Sequence, residues 1–332
     1  MATSKPILLV IGATGFVGRH FVERILQEKK FRIRCLVRKN SDVSNLQSLG
    51  KDLTFCYGDI TDEKTLPEAF RGVWGVVNVA GYREFWCQDT NHFYEVNERG
   101  AMNVFRASLD AGVKKVLHVS TPLAYGVPDH IPFNEQSTPG RHPSDYARSK
   151  YLGDQAGWRL HDREQLPLTI VHLAAVIGAG DDKATMEVER AVEGKLPALV
   201  GANTKYTYVY VKDAADAIAR ALLKNDSIGR SYLIGNQRAT TRDYFTTIGR
   251  LADVPVPRWN IPETLLKPLA MVMDLVARRT GKRPMLPLDV LKTTSAGSLL
   301  FDPSRGIDEL GMSYTPLETA LAESIAEVRA LR

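Results

Sequence analysis

The chain has 332 residues, of which 44% are hydrophobic, 24% charged and 8% aromatic, with a net charge of +5. That balance excludes a disordered or fibrous polymer and supplies enough apolar mass for about two domains. The positive charge is spread mainly as singlets and pairs such as Lys29-Lys30 and Lys114-Lys115, the usual pattern of solvated faces, and this mild excess is all that favours a nucleic acid, which is not expected as a partner.

Three cysteines, Cys35, Cys56 and Cys87, are too few for a disulfide framework. Met1 to Pro6 leads directly into an apolar strand-like segment without a signal-peptide plan, so the expected compartment is the reducing cytoplasm. The longest apolar runs are broken by His172 and Asp274 before they reach the ~18 residues of a spanning helix.

From Ile7 onward, short β-branched runs alternate with helical patterns. Strands are expected at Ile7 to Ile11, Phe31 to Val37, Leu53 to Tyr57, Trp74 to Val79, Lys115 to Ser120 and Leu168 to His172. Helices are expected over Phe16 to Glu28, after Thr61, over Asn91 to Ala111 and over Ser144 to Leu160. Strands that are apolar throughout, without alternation, belong to a parallel sheet covered on both faces. The fold class is therefore α/β, a doubly wound parallel sheet of Rossmann type. Beyond Gly178 the pattern loosens into short helices, a strand at Tyr206 to Val211 and Pro-punctuated segments, which predicts a dinucleotide-binding domain over 1–178, part of the later chain returning to it, and a smaller, mostly helical substrate lobe over 179–332.

Between the first strand and first helix, Gly12, Ala13, Thr14, Gly15, Phe16, Val17 and Gly18 read G-x-x-G-x-x-G. Glycines are needed there because side chains would block the backbone's approach to a pyrophosphate, which free N–H groups and the positive helix end attract. About 20 residues further on, where a carboxylate would mark NAD, the chain has Val37-Arg38-Lys39, which favours the extra phosphate of NADP(H) and leaves NAD open. Arg38 could equally be a solvated strand-end charge. Gly58-Asp59-Ile60 ends the third strand, where a carboxylate can accept from an adenine amino group.

Tyr146 and Lys150 stand four residues apart in a predicted helix, on one face. A phenol's ordinary pKa is about 10, and a nearby ammonium stabilises phenolate and lowers it toward working pH, which makes the pair a general acid/base. The combination is what singles them out: the glycine loop, then Asn78-Val79-Ala80-Gly81 at the fourth strand's end, Asn97 in the next helix, Ser120-Thr121 closing the fifth strand, then Tyr146 and Lys150.

In that order and spacing, along nearly the whole chain, the sequence resembles the extended short-chain dehydrogenase/reductase superfamily. The resemblance implies a cofactor site of Gly12, Thr14, Gly15, Phe16, Val17, Gly18, Arg38, Asp59, Ile60, Val79, Ala80, Gly81, Tyr146, Lys150 and Leu173. It also implies that Tyr146 exchanges a proton with the substrate oxygen, Lys150 holds the nicotinamide ribose and tunes the tyrosine, Asn97 supports a proton-relay water, and Thr121 supplies the hydroxyl where relatives often have serine. Where relatives commonly show Arg-Pro-x-x-Val-Tyr-Gly-Pro-Gly-Asp, this chain has His172-Leu-Ala-Ala-Val-Ile-Gly178-Ala-Gly-Asp181.

Within the superfamily the chain most resembles the group of 3β-hydroxysteroid dehydrogenases, dihydroflavonol-reductase-like enzymes and hopanoid-associated proteins, through 37–46, 80–87 and 301–311. This implies an oxidoreductase acting on a hydroxyl or ketone of a hydrophobic molecule, a sterol or related isoprenoid. The same Tyr and Lys also serve nucleotide-sugar epimerases and dehydratases, and a non-catalytic NADP-binding sensor is a third reading. Tyr82, Phe85 and Trp86 follow the fourth strand, where ligands of open α/β sheets sit, and either line a flat apolar substrate or pack their own loop. The helix Pro262 to Gly281 carries Leu265, Leu269, Val272 and Val276 on one stripe, followed by Arg278, Arg279, Lys282 and Arg283. Such a stripe is ordinarily core; the alternative is contact of 262–283 with an anionic membrane. Relatives also imply a homodimer through helices around 91–111 and 144–160. No metal site is expected, because the seven histidines show no H-x-x-x-H or H-E-x-x-H spacing, and no G-x-S-x-G elbow marks a hydrolase.

Overall fold

In the computed structural model, Leu8, Leu9 and Val10 are all buried although successive side chains of a strand point to opposite faces. Both faces of this sheet are therefore covered. The structure describes residues 5–50, 53–181, 188–196, 198–257, 259–295 and 299–330.

The main sheet has seven strands in the order β10-β6-β5-β4-β1-β2-β3. They are β1 (Ile7–Ile11), β2 (Arg32–Val37), β3 (Leu53–Tyr57), β4 (Val73–Asn78), β5 (Lys115–Ser120), β6 (Leu168–Leu173) and β10 (Arg230–Ile234). All pairings are parallel, with Val10 opposite Cys35 on one side and Val77 on the other. Every strand's carboxyl end thus lies on one edge, and the order reverses between β1 and β4, where open α/β sheets bind ligands. The helices Phe16–Leu26 and Val211–Leu223 pack together on one face, while Ala101–Asp110 and Asp145–Glu164 cover the other.

The later chain returns to this sheet: the helix Val211–Leu223 and β10 complete it. Beside it, β7 (Ala175–Ile177), β9 (Lys205–Tyr210) and β11 (Gln237–Thr240) form a second sheet, and β8 (Leu199–Val200) pairs with β12 (Asn260–Ile261). The helices Thr241–Ala252 and Leu317–Ala330 enclose a separate apolar cluster built on Tyr208, Tyr244, Ile248 and Leu321. The expected helix after Thr61 is reduced to short turns at Glu63–Thr65 and Pro67–Phe70, the second opened by Pro67.

Candidate active site

The strand β1 runs into Gly12, whose φ of +84° suits glycine and whose added Cβ would lie 2.6 Å from Ala80 N. Main chain meets main chain here: Val79 N donates to Ile11 O at 2.9 Å, joining the β1 and β4 ends. A Cβ on Gly18 would lie 2.0 Å from Gly12 O, so that glycine seats the helix against the loop. Gly15 is different. It is exposed, and its Cβ would meet only Gly12 O, at 3.4 Å.

Gly15 is also the N-cap of the helix Phe16–Leu26, which has no side-chain cap and no acidic residue in its first turn. Its first N–H groups and the positive helix end therefore face an uncrowded space, beside exposed Thr14. Phe16 and Val17 are half-buried in that turn, Phe16 edge-on to His20 at 5.4 Å. The cradle fits a pyrophosphate.

Arg38 and Lys39 stand exposed just past β2, and Gly58 N donates to Val37 O at 3.1 Å, bringing the β3 end alongside. Asp59 Oδ1 accepts from Thr61 N at 2.9 Å and Thr61 Oγ1 at 2.8 Å, while Ile60 is buried beneath Gly100. No carboxylate occupies the end of β2.

Ser144 caps the helix Asp145–Glu164 by accepting from Ala147 N at 3.2 Å, which sets Tyr146 in the first turn facing the end of β5. There the Thr121 hydroxyl lies close enough to the Tyr146 phenol to favour its ionised form. The phenol's pKa is not lowered as the Tyr146–Lys150 spacing suggests: burial pushes it above its ordinary range, the Arg83 guanidinium and the Thr121 hydroxyl oppose that rise, and Asp154 adds to it. One turn on, Lys150 Nζ donates to Val119 O at 2.8 Å and lies 3.9 Å from where a Gly81 Cβ would be. Burial lowers the ammonium's pKa and the Asp154 carboxylate partly offsets that.

Asn97 sits inside a π-helical segment, Glu95–Gly100, an irregularity frequent at functional sites. Its Oδ1 accepts from Tyr82 N at 2.8 Å, and its Nδ2 donates to Tyr82 O and Ser149 Oγ, each at 3.0 Å. A Cβ on Gly153 would lie 2.3 Å from Asn97 O, so Gly153 is what lets the Tyr146 helix approach this segment. The π turn and this clamp are not visible in the sequence, which places Asn97 in an ordinary helix.

Behind Lys150 lies a buried polar cluster. Asp154 Oδ2 accepts from Ser120 Oγ at 2.7 Å and from His172 Nε2 at 3.1 Å. His118 Nδ1 takes the Asn78 amide at 3.2 Å, which leaves its ring proton on Nε2, 3.6 Å from Asp154 Oδ1. Burial outweighs every other influence on His118 and lowers its pKa to about 3. Burial raises the Asp154 carboxyl, but the hydrogen bond from His172 and the nearby charges together bring it below its ordinary value. Ser120 thus faces this cluster, and Thr121 alone of the pair meets Tyr146.

The loop after β4 bridges to the second lobe. Arg83 pairs with buried Asp181, and Trp86 Nε1 donates to Asp274 Oδ1 at 3.0 Å. Tyr82 packs edge-on against His92 at 4.4 Å and Phe93 at 5.1 Å, while Phe85 is exposed. Of the two readings of these aromatics, Tyr82 and Trp86 show loop packing and lobe bridging, and Phe85 alone faces outward. Leu173 ends β6 with its side chain in the core, so only its main chain reaches the sheet edge. The sequence reading passed over Arg83 and Asp154. Asp154 carried a signal, an acid four residues after Lys150 on the same helix face; Arg83 carried none.

A parallel doubly wound sheet with this cradle at its strand-order reversal defines a Rossmann-fold dinucleotide-binding protein. Residues 8–235 match the model of the NAD dependent epimerase/dehydratase family, and the chain belongs to that family, a class of NAD-dependent enzymes acting on CH–OH groups. It is 28% identical over 325 residues to a putative dihydroflavonol 4-reductase of Synechocystis, covering 95% of this chain and 92% of that one. It is 28% identical to sterol demethylase protein B of Methylococcus capsulatus, covering 97% of this chain and 98% of that one. The crystal structure of gox2253 superimposes with a TM-score of 0.84 at 31% identity, over 98% of this chain and 99% of that chain.

Proposed function

We propose that the protein interconverts a hydroxyl and a ketone on a hydrophobic small molecule, a sterol or related isoprenoid, with NADP(H) as its preferred cofactor and Tyr146 as general acid/base. The observation that carries this reading is Tyr146 in the first turn of its helix beside Thr121 at the carboxyl edge of the sheet, with Lys150 one turn away, donating to Val119 O and lying beside Gly81. Similarity to proteins named for sterol demethylation and dihydroflavonol reduction supports the substrate class. The NADP preference rests on exposed Arg38 and Lys39 where a carboxylate would select NAD.

The Gly12–Gly18 loop would hold the pyrophosphate, Arg38 the 2′-phosphate, Lys150 the nicotinamide ribose, and the main chain at Val79, Ala80, Gly81 and Leu173 the nicotinamide end. A reduced nicotinamide held there would supply the hydride that the carbonyl carbon accepts. Thr121 and Tyr146 donate hydrogen bonds to the carbonyl oxygen, and Tyr146 delivers its proton as negative charge grows there. A phenol held above its ordinary pKa is protonated at neutral pH, the form that ketone reduction requires. Lys150, whose ammonium form Asp154 favours against the effect of burial, would stabilise the phenolate left behind, and Asn97 fixes the Tyr82 segment beside it.

The second reading, a nucleotide-sugar epimerase or dehydratase, draws on the family's own name and the same Tyr146 and Lys150. Incubating purified protein with NADPH or NADH and either 3-ketosteroids or UDP- and dTDP-sugars separates the two. Stoichiometric NADPH consumption that depends on the steroid supports oxidoreduction; sugar conversion without net cofactor turnover overturns it.

A further inference from the structure

Leu265, Leu269, Val272 and Val276, the stripe whose ordinary meaning is core, are 71, 54, 60 and 54% exposed. The helix Glu263–Thr280 instead packs inward through the small residues Ala270 and Ala277, flanked by half-buried Leu266, Met273 and Asp274. At 100° per residue the four stripe residues fall within about 60° of one another on the outer face. Met271 and Leu275, 56 and 55% exposed, widen the same face. Apolar side chains concentrated this way on the outside of a helix mark an interaction surface.

We propose that this outer face docks on an anionic lipid bilayer surface. Charge decides the occupant. From 259 to 285 the chain carries Lys267, Arg278, Arg279, Lys282 and Arg283 against only Glu263 and Asp274. All five basic residues are exposed. Asp274 accepts from Trp86 Nε1 at 3.0 Å and pairs with Arg278 through Nε at 2.7 Å, and Arg283 lies 3.9 Å from Glu84, so Lys267, Arg279 and Lys282 carry the cationic excess of the face. The loop that follows holds Lys282 and Arg283 just beyond the apolar stripe, with Met285 86% exposed on the same segment. At the other end Trp259 is 79% exposed, and tryptophan favours the headgroup level of a bilayer. Apolar strip, cationic border and interfacial aromatic together match a helix lying in the membrane plane.

The contact is peripheral, since no described helix is long and apolar enough to cross a membrane. It also has a place relative to the candidate active site. Trp86 and Gln88, on the loop after β4, bond Asp274 and Arg278 O of this helix. A bilayer on the outer face would lie one helix thickness from that loop, where a lipid-soluble molecule could pass between membrane and cleft.

Sedimentation of the purified full chain with large vesicles of phosphatidylcholine alone, or of phosphatidylcholine mixed with phosphatidylglycerol, tests this without any assay of turnover. The chain should pellet with the anionic vesicles and partition at least about tenfold less onto the zwitterionic ones. A Leu269→Ser/Val272→Ser/Val276→Ser variant should lose about tenfold or more in partition coefficient. An Arg279→Glu/Lys282→Glu variant should lose a similar factor, and raised salt should weaken binding of the unaltered chain. Circular dichroism and melting confirm that both variants fold. Failure to pellet with any vesicle overturns the proposal, as does vesicle binding that the triple serine variant leaves intact. A dimer that the triple variant disperses, with no vesicle binding, overturns it in favour of a second copy of the chain on this face.

Discussion

The guanidinium of Arg83 donates to both carboxylate oxygens of Asp181, at 3.0 and 3.2 Å, and from that fixed position its charge acts on the Tyr146 phenol. Of the influences opposing the burial of Tyr146, Arg83 is the largest. The pairing joins the loop after β4 to the second lobe and holds a cation that opposes the rise in proton affinity that burial gives the candidate acid/base.

Removing that cation makes phenolate less favourable and raises the tyrosine's pKa further. Alcohol oxidation requires the phenolate, so in Arg83→Gln the rising limb of kcat/KM for oxidation should move to higher pH, while ketone reduction at neutral pH changes less. Steady-state pH profiles in both directions check this. An unmoved limb would show that Arg83 serves only to tie the lobes.

The glycine loop separates folding from binding. Gly12→Ala places a Cβ 2.6 Å from Ala80 N at a φ of +84°, so it should destabilise the chain by about 1–3 kcal/mol. Gly15→Ala meets only Gly12 O at 3.4 Å and should fold with a change below about 1 kcal/mol, yet crowd the pyrophosphate and weaken dinucleotide binding by about tenfold or more. Thermal melts with and without cofactor, together with fluorescence titration, distinguish the two variants.

The cluster behind Lys150 predicts acid sensitivity. His118 in the folded chain has its pKa lowered to about 3 from an ordinary 6.5. As pH falls below 6.5 the unfolded chain binds a proton there that the folded chain does not, so stability should fall by about 1.4 kcal/mol per pH unit. Asp154, held below its ordinary value, adds to the loss only at pH below about 4. Urea denaturation at pH 7.0, 6.0 and 5.0 reads the slope, and His118→Gln should flatten it across that window.

Much of this was legible in the sequence where the signal is local. The glycine loop works through spacing within one turn, and Tyr146 and Lys150 meet because a helix brings residues four apart to one face. The strands of the sheet could be read from runs apolar on both faces. Arg83 and Asp181 are 98 residues apart, and His118 and His172 reach Asp154 from two different strands, so no short-range pattern announces them. The helix Glu263–Thr280 shows a different limit. Periodicity revealed its apolar stripe, but a stripe alone does not say which face packs, and here the inward face is carried by Ala270 and Ala277. His172, where relatives commonly have arginine, hydrogen-bonds Asp154 at 3.1 Å, a partner that no local pattern announces.

The most direct test of the central claim compares the unaltered chain with Tyr146→Phe in NADPH-dependent reduction of a hydrophobic ketone. Phenylalanine keeps the ring that lies 6.4 Å from Phe93 and removes only the proton donor. The account predicts a fall in kcat of about 10²- to 10⁴-fold with NADPH affinity nearly unchanged. A variant that reduces the ketone at the native rate would contradict it.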